Sequence, residues 1–137
     1  MEGYRKHRVL FERLEATIIA ASVDGIEDMK LLAEGKRFPN REKEMGFHLC
    51  YGVSRELANT LGAYWYDHEL GKDKSYILGA DKDYMQPAEF IIDCKFKKVI
   101  SCAYSDGGLG RMDAGDVVGV LSSIQDITTE VPHVWSW

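Results

Sequence analysis

Tyr4, His7, Phe11, Leu14, Ile18 and Ala21 recur at steps of three and four along the start of the chain. That spacing predicts one helical stripe, with Glu12, Arg13 and Glu15 off it. Asp24 followed by Glu27 resembles a capping box, and Ile26, Met29 and Ala33 lie on one face of the helix it would open. Gly35 suits a left-handed end to that helix. Lys36 to Arg41 reads as a basic loop in which Asn40 can cap the next helix. Met45, Leu49, Val53, Leu57 and Leu61 are spaced by four, which predicts a helix broken near Gly52 and firm from Ser54 to Leu61, with Gly62 at its exit.

The pattern changes after Gly62. Tyr64-Trp65-Tyr66 and Ser75 to Leu78 are rich in strand-forming residues, and Gly71 to Lys74 between them suggests a hairpin turn. Phe90, Ile92, Cys94 and Phe96 alternate with Ile91, Asp93, Lys95 and Lys97, and Val99 to Tyr104 continues the alternation after a turn or bulge at Lys97-Lys98. Ser105 to Gly110 is a loop. Asp113 to Asp116 reads as a turn feeding a strand from Val117 to Leu121, on the strength of Gly119 and the β-branched residues. Val134 and Ser136 alternate with Trp135 and Trp137, consistent with a last strand packing both indoles on one face. The expected fold class is α+β: one domain over residues 1–137, mainly helical over 1–62 and mainly strands over 63–137, with the helices packed on an antiparallel sheet.

Composition narrows the field. At 137 residues, with about a quarter of them Leu, Ile, Val or Phe, the chain can build a core without a metal or disulfide staple. The net charge is −5. Residues 1–66 balance ten basic against ten acidic side chains, whereas residues 67–137 carry seven against twelve, so the whole excess lies in the second half. Such a chain repels a phosphate backbone, which argues against a nucleic-acid partner. No apolar stretch approaches the roughly 20 residues of a membrane span, so a membrane is not expected as a partner. Three cysteines, Cys50, Cys94 and Cys102, form no disulfide framework, and a reducing cytoplasm is the simplest setting.

No catalytic constellation stands out. The glycines from Gly107 to Gly110 lack a lysine and are flanked by Asp106, Asp113 and Asp116, which would repel phosphate. His7, His48, His68 and His133 are scattered, so neither a metal nor another cofactor is expected. His48 and Cys50 share a face only in an extended segment, and all three thiols read as core residues. Asp67 and Glu69 flank His68 beside Tyr64 and Tyr66, a set that could serve acid–base chemistry if it converges in space.

The leading expectation is a small acidic binding protein of the inhibitor or immunity type. It would neutralise a basic partner such as a nuclease toxin through Asp106, Asp113, Asp116, Asp67, Glu69, Tyr64 and Tyr66. The alternative is a small enzyme or ligand-binding domain with a pocket near His68, lined by Tyr64, Tyr66, Tyr76 and Tyr104. A third reading is a subunit whose sheet edge pairs with a second copy in a homodimer.

Overall fold

The computed structural model describes residues 1–37, 44–71, 82–107 and 111–125. They fall into two compact units: Met1–Ile18 with the described residues from Asp113 onward, and Ile19–Met112. The expectations for Asn40, the 71–74 turn and its following strand, most of the glycine loop, and the terminal tryptophans rest on residues outside those described.

The first unit is helical. It holds α1 (Glu2–Lys6), α2 (Arg8–Arg13) and α6 (Ala114–Gln125), the last so numbered because α3 to α5 lie in the second unit. The expected stripe survives only to Leu14. Glu15 adopts φ 52°, and the Ala16 N–H closes on the Phe11 carbonyl at 2.9 Å, a left-handed helix ending that releases the chain. Tyr4 stacks on Phe11 with ring centroids 5.7 Å apart, and Phe11 and Leu14 are buried.

The expected strand at 117–121 is instead part of helix α6. Ala114, Val117 and Val118 are its buried residues, and the half-buried Leu121 extends the series, which is the i, i+3, i+4, i+7 stripe of a helix. Packing of that stripe outweighs the strand preference of valine and the roughly 1 kcal/mol cost of Gly119. Asp113 starts the helix: its Oδ1 accepts from the Gly115 N–H at 2.8 Å and its carbonyl from the Val117 N–H at 3.1 Å. A Cβ on Gly115 would stand 3.0 Å from that Oδ1, so glycine permits the close approach. At the far end Gln125 Nε2 donates to the Leu14 carbonyl at 2.7 Å.

The second unit begins with a departure from the helical first half expected of the sequence. Ile19–Ala21 is a strand, β1, and His48–Cys50 is a second, β2; they pair in parallel, Ile19 with His48 and Ala21 with Cys50. Between them runs α3 (Ile26–Ala33), whose Met29 and Leu32 form a core with Met45, joined by Phe47 and Leu49. The expected helix over 42–61 keeps only its end, α4 (Arg55–Leu61). Ser54 caps it through Oγ, accepting from the Leu57 N–H at 3.1 Å, and Gly62 closes it at φ 71°.

Three further elements complete this unit. β3 (Trp65–Tyr66) pairs antiparallel with β4 (Tyr84–Met85), and α5 (His68–Gly71) follows β3. The hairpin expected from the alternation is present as β5 (Ala88–Asp93) and β6 (Lys98–Tyr104), with a register shift at Ile91/Ile92. Cys94 and Phe96, read as strand residues, lie in its turn.

One carboxylate fastens separate segments of this unit. Asp24 follows β1 with its side chain only 13% exposed. Lys82 Nζ donates to its Oδ1 at 2.7 Å; Ser22 Oγ and Arg37 Nη1 donate to its Oδ2 at 2.9 and 3.1 Å. The Lys82 bond foremost, then those from Ser22 and Arg37, hold the carboxyl down at about 2 against the opposing effect of burial.

Because this folded-state pKa lies below the unfolded value, the stabilisation is fully present above about pH 4 and is lost as pH falls through about 2. Asp24→Asn is therefore expected to cost about 2 kcal/mol at neutral pH and to flatten the acid limb of stability between pH 4 and 2, as read by denaturant unfolding across pH. Leu32→Ala, in the core on α3, is expected to cost about 2–5 kcal/mol in the same assay without changing that acid limb.

Candidate functional site

Parallel strands tend to present ligands outside their carboxyl ends. Here those ends carry Ser22, Asp24 and Cys50. The Ser22 N–H donates to the Cys50 carbonyl at 3.1 Å, the Val53 N–H to the Ser22 carbonyl at 3.0 Å, and the Gly52 N–H to the Asp24 carbonyl at 2.9 Å. The backbone at the strand exits is thus fixed by its own hydrogen bonds. Along β2, Leu49 packs against the α3 core while His48 and Cys50 point to the other, exposed face. The extended condition for a shared His48–Cys50 face is met.

The expectation that the cysteines are core residues is overturned. Cys50, Cys94 and Cys102 are all free and all exposed. Alternation misled for a simple reason: a two-stranded hairpin buries little on either face, and all of Cys94 to Ile100 is exposed. Cys102 stands two residues before Tyr104 on β6. Loss of hydration, followed by the Cys102 thiol, pushes the Tyr104 hydroxyl up, and that hydroxyl donates to the Leu61 carbonyl at 2.8 Å.

Around His68 two of the carboxylates are engaged by backbone amides and one faces the imidazole. Asp67 Oδ1 accepts from the Glu69 and Leu70 N–H groups at 3.1 and 3.3 Å, capping α5, and its Oδ2 lies 3.6 Å from Arg55. Glu69 is exposed, with Oε1 3.4 Å from His68 Nδ1. Asp83 accepts from the His68 N–H at 3.0 Å and from Trp65 Nε1 at 3.5 Å. The His68 backbone bond is the main reason that its carboxyl titrates below the usual range. Asp67 and Asp83 thus satisfy backbone amides at the start of a short helix, a structural use.

Tyr64 is exposed, whereas Tyr66 is buried against Tyr84 with ring centroids 4.9 Å apart. Burial foremost, then the charge effect of Tyr66, pushes the Tyr84 hydroxyl up, with a hydrogen bond from Gln86 acting the other way. Gln86 is 1% exposed, and its Oε1 has no hydrogen-bond partner among the described residues.

Asp106, Asp113 and Asp116 are exposed, but they divide between the units: Asp106 in the second, Asp113 and Asp116 in the first, where Asp113 caps α6. Among the described residues no three His, Cys, Asp or Glu side chains are grouped to hold a metal ion, and no helix is long and apolar enough to cross a membrane. The missed feature, the parallel pair with a thiol at its exit, left only a faint trace in the sequence: the branched Ile18, Ile19 and Val23, and the turn-forming Asp24 and Gly52 shortly after the two strands.

No family model and no curated protein matches the chain. Solved structures do. AhpC of Mycobacterium bovis superposes with a TM-score of 0.61 at 21% identity, over 95% of this chain and 62% of that one. A cysteine-to-serine mutant of the peroxiredoxin 6 of Arenicola marina superposes with a TM-score of 0.64 at 20% identity, over 88% of this chain and 51% of that one. The chain thus spans between half and two thirds of the length of these structures. The likeness overturns the expectation of an inhibitor or immunity protein that neutralises a toxin. The one-sided acidity behind that reading is spent in part on caps such as Asp67 and Asp113. The chain has a mixed α/β fold of helices and small sheets, like the thioredoxin-type fold of these peroxiredoxins.

Proposed function

We propose that the chain works in thiol-based redox chemistry, as a thioredoxin-type domain acting through its own exposed cysteines. The observation that carries this reading is the extent of the fold likeness, 95% and 88% of the chain on two peroxiredoxin structures. The exposure of all three thiols supports it, because cysteine is otherwise among the most buried residue types.

Cys50 is the leading group. It stands at the carboxyl end of a parallel strand, and His48, two residues before it on the same exposed face, is the base that would take the thiol proton. The Cys50 thiolate would attack one oxygen of a peroxide. A sulfur–oxygen bond forms, the O–O bond breaks, the sulfur is oxidised by two electrons to a sulfenic acid, and the other oxygen leaves protonated as water or an alcohol. A second thiol then displaces the sulfenic hydroxyl as water and forms a disulfide.

A second reading is a thioredoxin-type binding domain without turnover. It is favoured by the absence, among the described residues, of a hydrogen bond from any Lys, Arg or His side chain to a cysteine. One experiment separates the two. Sub-stoichiometric hydrogen peroxide followed by a sulfenic-acid trapping reagent and peptide mass spectrometry is expected to label Cys50 ahead of Cys94 and Cys102. His48→Ala is expected to slow that labelling about tenfold or more. Equal labelling of all three thiols at the rate of free cysteine would leave only the binding domain.

A further inference from the structure

We propose that the turn of the β5–β6 hairpin is a docking tip for the surface of an anionic lipid bilayer. The turn runs Cys94-Lys95-Phe96-Lys97 and leads into Lys98 and Val99. Phe96 is 71% exposed, and Ile92 and Val99 beside it in the hairpin are 57% and 51% exposed. A large apolar ring is thus exposed in the turn of a hairpin, with Lys95, Lys97 and Lys98 as its neighbours along the chain. This combination suits a membrane interface, where the ring enters the headgroup–acyl boundary while ammonium groups remain at the level of lipid phosphates and carboxylates.

The tip is ordered for the purpose. Asp93 Oδ1 accepts from the Lys95 and Phe96 N–H groups at 2.9 and 3.0 Å, fixing the turn. Lys97 takes the left-handed conformation at φ 52°. Lys95 Nζ lies 5.3 Å from the Phe96 ring centroid, so charge and ring share one side of the turn. No ion pair joins Lys95, Lys97 or Lys98 to a described residue, which leaves their charge for an external partner.

The net charge of −5 does not oppose this contact. At physiological salt, charges more than about 8 Å away are largely screened, and the tip itself carries three lysines against Asp93. Contact with one bilayer face needs no spanning helix, so the lack of one among the described residues is compatible with it. Phe96 together with the exposed Ile92 and Val99 adds apolar surface that the headgroup–acyl boundary of a bilayer takes up beside the three lysines, and this combination favours a bilayer over a purely polyanionic partner.

The test is co-sedimentation of the full chain with vesicles. Pelleting is expected with phosphatidylcholine vesicles containing phosphatidylserine, and not with phosphatidylcholine alone. Each lysine is expected to contribute about fivefold, so Lys95→Gln, Lys97→Gln and Lys98→Gln together weaken binding on the order of a hundredfold. Phe96→Ser alone, outside the paired strand positions, is expected to weaken it about tenfold or more with an unchanged circular dichroism spectrum. Three results would overturn the proposal: no pelleting with either vesicle, equal pelleting of Phe96→Ser, or retention on heparin that Phe96→Ser leaves unaltered while vesicles bind nothing.

Discussion

The second unit depends on a carboxylate surrounded by donors. Asp24 receives an ammonium, a guanidinium and a hydroxyl, and its own carbonyl takes the Gly52 N–H. These contacts join the segment after β1, the residues after α3, the approach to β4 and the exit of β2. A parallel two-stranded sheet has few ladder bonds, and two strands alone are marginal in water. What the short ladder lacks in hydrogen bonds is supplied by the α3 core on one face and by this ion network at the strand ends. The network is mostly shielded at the carboxylate and open at Lys82, so its strength comes from convergence on one partly buried anion more than from any single exposed pair.

That arrangement sets what the surface offers. With Leu49 turned to the core, pleating places His48 and Cys50 outward, so the same geometry that closes the core presents a thiol. The hairpin behaves likewise: Ile91 is buried, and the flanking residues, including Cys94, Phe96 and Cys102, are left to solvent. The acidic side chains singled out in the sequence turned out to be divided in their duties. Asp67 and Asp113 hold backbone amides at the starts of helices, while Asp106 and Asp116 are simply exposed.

Some of this was legible in the sequence, and the exceptions have physical causes. The hairpin of β5 and β6 follows from its period-two alternation, and α4 from Ser54 and Gly62 at its ends. The strands β1 and β2 are three residues each, too short to impose a period. The apolar residues around them also fit steps of three and four, so they read as helix. Helix α6 was hidden by the reverse conflict, with Val117, Val118 and Val120 preferring strand and Gly119 disfavouring helix, against a buried stripe that only packing reveals. The Asp24 network joins residues 13 and 58 positions apart, beyond the reach of any local pattern. Thiol exposure was misjudged because alternation reports which residues share a face, not whether that face is covered.

The most direct test of this account is a carbon-detected NMR titration of the Asp24 carboxyl group. The account predicts a midpoint of about 2, with the Lys82 ammonium signal responding in the same titration. A midpoint at the ordinary aspartate value of 3.8, or a Lys82 signal indifferent to it, would contradict the claim that this carboxylate ties the unit together.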